Sequence, residues 1–120
     1  MTAPDLGALA FCYVTTTGRR TGRPHTIEIW FALDGRSLYL LAGGGRTSDW
    51  VRNIEADDRV GVLLGDESLA GRGRVVADAA EERRARDLVY AKYAPTQGDL
   101  EAWRERALPI AIDLVDVPAA

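Results

Sequence analysis

Apolar residues fall into short blocks that alternate with polar ones, and glycine cuts the blocks apart. Phe11 to Thr17 (FCYVTTT) is rich in β-branched and aromatic residues and stops at Gly18, which predicts a strand. Gly18 to Pro24 (GRRTGRP) predicts a turn or loop. His25 to Leu33 (HTIEIWFAL) alternates without a fault. Ile27, Ile29, Phe31 and Leu33 share one face, and Thr26, Glu28, Trp30 and Ala32 the other. Asp34-Gly35 is a tight-turn signal, and Ser37 to Ala42 is the return strand.

After Gly43-Gly44-Gly45 the period changes. Thr47 or Ser48 can cap a short helix, Asp49 to Ala56, that places Trp50 and Ile54 one turn apart. Arg59 to Leu64 and Leu69 to Ala77 read as two further strands around Gly65–Ser68. Gly71 and Gly73 mark a sharp bend or bulge in the second of them. Asp78 and Glu81 form a capping-box-like start for a helix reaching about Lys92. Its core stripe is Ala85, Leu88 and Val89, joined by the stem of Lys92; Tyr90 and Tyr93 lie beside it. Pro95 and Gly98 break the chain before a short helix, about Asp99 to Ala107, that carries Trp103. Ile110 to Val117 alternates as a final strand. About six strands arriving as hairpins, with two or three short helices, predict a mainly β (α+β) antiparallel barrel rather than a doubly wound sheet.

Composition narrows the chemistry. The 120 residues suit one domain, 1–120, and are 47% hydrophobic and 28% charged, which is ordinary globular usage. A net charge of -3 argues against a nucleic-acid binder. One Cys and one His allow neither an intrachain disulfide nor a structural zinc cluster, and predict a reducing, cytoplasmic setting. Met1 to Ala10 has no basic n-region, and no apolar run is long enough to span a membrane. Fourteen of the fifteen basic residues are Arg, an actinobacterial-like skew, so any anion site here is built from guanidinium forks.

Three stretches could carry chemistry. In GRRTGRPH, Arg19, Arg20 and Arg23, the Thr21 hydroxyl, His25 and the loop amides could face one phosphate; the same stretch also reads as a solvated hairpin loop. Ala42, Gly43, Gly44, Gly45 and Arg46 lead into Trp50 and Asn53. They offer backbone N–H groups to a flat heteroaromatic edge or an anion, or simply connect a strand to a helix. Trp30, Tyr90 and Tyr93 could wall a pocket for a planar ligand, or pack as ordinary core. No metal ligands and no catalytic nucleophile emerge from the pattern.

Taken in order, TTTGRRTGRPHT (Thr15 to Thr26), the strand ending in Trp30-Phe31, the Asp34-Gly35 hairpin, LLAGGG, Trp50-x-x-Asn53 and the Asp57 to Val62 strand resemble the deazaflavin (F420)-dependent nitroreductase family. That family belongs to the flavin and deazaflavin oxidoreductases of split β-barrel fold. The resemblance implies a reductase that binds reduced coenzyme F420 and passes hydride to a nitro-aromatic, quinone or activated alkene. It implies that Arg19, Arg20 and Thr21 hold the coenzyme's phosphate and acidic tail, with His25 at a further basic position. Ala42 to Arg46 would lie along the ring, Trp50 and Asn53 would close the ring site, and Trp30 would stand near the ring. Tyr90 and Tyr93 would line the substrate side as possible proton donors. Glu28 departs from the pattern: a carboxylate there disfavours an anionic substrate, or even the acidic ring of the coenzyme. Two other readings fit the same residues. One is an FMN-binding, pyridoxamine-phosphate-oxidase-like reductase; the other is a non-enzymatic flavin- or lipid-binding protein. Exposed barrel hairpins also make a homodimer plausible.

Overall fold

A computed structural model describes residues 5–115. Seven strands form one antiparallel sheet: β1 (Cys12–Thr17), β2 (Pro24–Ile29), β3 (Ala32–Asp34), β4 (Ser37–Ala42), β5 (Arg59–Leu64), β6 (Glu67–Val75) and β7 (Leu108–Leu114). Three helices accompany them: α1 (Asp49–Ala56), α2 (Ala79–Gln97) and α3 (Glu101–Arg106).

The strand order, β2-β1-β5-β6-β7-β4-β3, puts β2 and β3 at opposite edges, yet only Trp30 and Phe31 separate them in the chain. Laid flat, the two edges would be roughly 29 Å apart, which two residues cannot span. The sheet therefore has to roll up until its edges nearly meet. The result is a split barrel, as the strand pattern predicts. The expected single strand His25–Leu33 is corrected on this point: the ribbon breaks at Trp30–Phe31, where it leaves β1 and turns to pair with β4.

That break exposes backbone polar groups in the interior, and α2 satisfies them. Phe31 N–H donates to the Tyr93 hydroxyl at 3.0 Å, and that hydroxyl donates to the Ala10 carbonyl at 2.8 Å. Lys92 Nζ donates to the Phe31 carbonyl at 3.0 Å and sits 3.6 Å above the Phe31 ring. Burial depresses the Lys92 pKa and pushes the neighbouring Cys12 thiol up to about 12, so Cys12 is an inert, fully buried thiol.

Two apolar layers result. Cys12, Val14, Phe31, Leu38, Leu40, Val60, Val62, Leu64, Ile110 and Ile112 fill the barrel. Tyr39, Leu41, Ala85, Val89, Tyr93 and Ala111 lie between the sheet's outer face and α2. Pro95 does not end the helix as expected. It removes one N–H near the C-terminus, so α2 runs on to Gln97 and stops at Gly98, whose φ is 86°. The second short helix is trimmed to Glu101–Arg106. The last strand begins at Leu108; its expected extension to residues 116 and 117 lies outside the described residues.

Gly71 and Gly73 stand where β6 passes from β5 to β7. A Cβ on Gly73 would lie 2.9 Å from Ile54 Cγ2 on α1. Gly73→Ala is expected to cost about 1–3 kcal/mol by overpacking, read as a lower denaturation midpoint with unchanged slope.

Asp78 caps α2, its side chain accepting from Glu81 N–H at 2.8 Å. The Glu81 carboxylate, however, accepts from Arg74 at 2.6 and 2.7 Å and from the Tyr39 hydroxyl at 2.9 Å. The Arg74 bonds lower its pKa from 4.5 to about 2. A carboxylate held below its unfolded value adds stability that is complete above about pH 4.5 and is lost as pH falls toward 2. Denaturant midpoints at pH 7 and pH 3 should therefore differ less in Glu81→Gln than in the wild type.

No helix among the described residues is long and apolar enough to cross a membrane.

Candidate active site

The β1–β2 turn is tied by its own backbone. Gly18 N–H donates to the Arg23 carbonyl and Gly22 N–H to the Gly18 carbonyl, each at 2.8 Å, with Gly22 at φ 73°. Thr21 Oγ1 accepts from Arg23 N–H at 3.2 Å. The His25 ring lies so close over Gly18 that a Cβ there would meet Nε2 at 2.7 Å.

The turn is fastened to α1 through Asn53, one of the two polar side chains buried among the described residues; Thr16 is the other. Asn53 Oδ1 accepts from Arg19 N–H at 3.2 Å and from Arg19 Nη1 at 2.9 Å, and its Nδ2 donates to Thr16 Oγ1 at 3.1 Å. Arg19 Nη2 also pairs with Asp49 Oδ1 at 3.1 Å. Arg19 thus positions the turn and has little left to offer a ligand. Arg20 and Arg23 have no side-chain partner among the described residues, and both are exposed.

Between the turn, β2 and α1 opens a cleft of about 460 Å³. It gathers Arg19, Arg20, Thr21, His25, Trp50 and Asn53 from the sequence-predicted set, and adds Gly18, Thr26, Ile27 and Asp49. A second cleft, of about 330 Å³, continues along β2 and holds Trp30 with Glu28, Ile29, Leu41 and Trp103.

Other predicted residues lie elsewhere. Arg23 is on the solvent side of the turn. Ala42 is buried in the barrel, and Arg46 pairs with Glu55 at 3.2 Å. Gly43, Gly44 and Gly45 line neither cleft. Gly43 lies beside Trp103, however, whose Nε1 would be 3.6 Å from an added Cβ. The Tyr93 hydroxyl bonds backbone groups and its ring stacks on Trp30 at 4.5 Å; Tyr90 lies under the Arg104 guanidinium, 4.7 Å away. Sequence reasoning passed over Asp49, Thr16 and Trp103 as site residues. Thr16 was findable from the inward register of β1, whereas Asp49 and Trp103 depend on how α1 and α3 dock.

The fold is thus a rolled, split antiparallel barrel with an arginine-bearing turn and an aromatic cleft along its edge strand β2. The sequence profile of the F420H(2)-dependent quinone reductase family matches residues 5–115. The chain belongs to that family, an F420-dependent family of oxidoreductases, and split-barrel neighbours that bind flavins keep a flavin as the alternative cofactor.

Solved structures are similar in fold. A conserved hypothetical protein, Rv2991 from Mycobacterium tuberculosis, is 17% identical with a TM-score of 0.74, covering 100% of this chain and 92% of its own. An F420-H2 dependent reductase (FDR-A) is 21% identical with a TM-score of 0.69, covering 86% of this chain and 92% of its own. A pyridoxamine 5'-phosphate oxidase-like protein from Listeria innocua is 17% identical with a TM-score of 0.68, covering 92% of this chain and 88% of its own.

Proposed function

We propose that the chain reduces a small planar acceptor (a quinone, nitro-aromatic or activated alkene) with the coenzyme lying along β2. Its phosphate and acidic tail would sit at the Arg20 end, and its ring toward Trp30. The observation that carries this reading is the pair of successive clefts on one strand, with a partnerless guanidinium at one end and two indoles at the other. His25 to Trp30 spans roughly 17 Å of extended chain, a length suited to a tricyclic ring with a phosphorylated side chain.

The residues fit the group. Arg20 offers a guanidinium fork to phosphate, the Thr21 hydroxyl lies beside it, and Ile27 and Trp50 give the cleft apolar walls. When bound, the coenzyme supplies hydride, so the protein needs no metal and no nucleophile of its own. The chain's work is to grip the anionic tail, keep water off one ring face and leave the other open to the acceptor. Arg19 and Asn53 hold the turn in place for this.

Arg20→Ala is expected to weaken coenzyme binding at least tenfold, the worth of a charge-assisted hydrogen bond of about 1.5–3 kcal/mol. Turnover of the saturated enzyme should stay near wild type. Titration with coenzyme F420 and with FMN in parallel checks the first point and saturated turnover of the variant the second: preferential, Arg20-independent FMN binding would overturn the reading.

A further inference from the structure

The second cleft has a chemistry of its own. Trp30 is held rigid, with Tyr93 stacked on it at 4.5 Å and 8° and Trp103 nearly perpendicular to it at 5.7 Å. Glu28 is the one ionisable side chain in the lining. Its partner is neutral: the Tyr13 hydroxyl donates to Oε1 at 3.2 Å. Among the described residues no salt bridge reaches Glu28. The unpaired Arg20 guanidinium of the same edge strand's turn lines the other cleft.

We propose that the Glu28–Trp30–Trp103 cleft binds planar aromatic cations and thereby adds heteroaromatic cations to the acceptors of this enzyme. The binding half stands on the cleft alone; the acceptor half rests on the coenzyme reading above. A carboxylate without a counter-ion beside two indoles is the donor set that holds delocalised cations. The charge attracts, and the ring faces add cation–π contact. The same carboxylate repels an anion.

The charge balance of the reaction agrees. Hydride carries a proton and an electron pair together into one new bond on the acceptor. The acceptor is reduced, the coenzyme is oxidised, and a monocation becomes a neutral product. A quinone must draw a further proton from solvent, whereas a monocation needs none. No protein acid is required, in keeping with a Tyr93 hydroxyl already bonded to backbone. The neutral product loses the attraction of Glu28 and leaves.

The test is calorimetric titration of coenzyme-free protein with methylene blue, a flat monocation, and with the dichlorophenolindophenol anion. Wild type, Glu28→Gln and Asp66→Asn are compared. Asp66 lies on the exposed β5–β6 turn, outside the cleft, so its variant makes the same change in net charge.

Wild type should bind the cation about tenfold tighter than the anion. Glu28→Gln should weaken the cation about fivefold, the weight of one charge at contact distance in water, while Asp66→Asn changes nothing. The proposal is overturned by equal weakening in both variants, by no effect of Glu28→Gln, or by no saturable cation binding in wild type. With coenzyme present, methylene blue reduction should show KM raised and kcat kept in Glu28→Gln. Should wild type fail to bind the coenzyme yet hold the cation through Glu28, the coenzyme reading falls and the binding site stands.

Discussion

Asn53→Ala is expected to cost about 2–4 kcal/mol and to abolish measurable coenzyme binding. The amide is buried and makes three hydrogen bonds, two to Arg19 and one to Thr16. Truncation strands the buried Thr16 hydroxyl and the Arg19 N–H, and leaves the Arg19 guanidinium with only exposed Asp49 as a partner. Orphaning buried polar groups costs about 1–3 kcal/mol each, partly recovered as water enters the cleft. Thermal unfolding should fall by roughly 10 °C for a domain of this size. Asn53→Asp discriminates between lost packing and lost bonding. It keeps the acceptor for Arg19 and lets Thr16 donate instead, so it should recover most of the loss. If the Asp and Ala variants are equally unstable, the hydrogen bonds are not what the position supplies.

Tyr93→Phe is expected to destabilise by about 2–4 kcal/mol, with kcat per folded molecule near wild type. The substitution keeps the ring that stacks on Trp30 and removes only the hydroxyl linking Phe31 N–H to the Ala10 carbonyl. Phe31 lies in the ribbon's break and Ala10 ahead of β1, so neither group has a ladder bond to replace the lost one. Burial raises the Tyr93 pKa above its ordinary value, so the hydroxyl stays protonated and serves as donor and acceptor at once. A proton-donor role predicts the reverse, lost turnover with stability kept. Denaturant unfolding and saturated turnover on one preparation separate the two.

Much of the barrel was written in local pattern. β1, β4 and β5 and helix α1 follow from alternation, glycine stops and a polar start, because each depends on its own residues. The break at Trp30–Phe31 was not legible. HTIEIWFAL alternates without interruption, and only the need to join two distant sheet edges bends it. Pro95 misled for a related reason: it forfeits only its own bond to the Ala91 carbonyl, in the last stretch of a helix that is packed on the sheet, and α2 ends two residues later. In the site, the composition of the turn suggested either an anion site or a solvated loop, and nothing local distinguishes Arg19 from Arg20. Their roles divide when α1 docks and Asn53 reaches the first of them. Tyr90 and Tyr93, three apart, gave no hint of which surface would cover them.

One strand lines both clefts, and it is the least buried of the seven, hydrogen-bonded on one side only. Such a margin opens at lower free-energy cost than the barrel interior. Whatever lodges between Pro24–Ile29 and α1 stitches a loose hem to a rigid body. Part of each ligand's intrinsic attraction is absorbed in stilling that hem, and the first guest to do so spares the second the same expense.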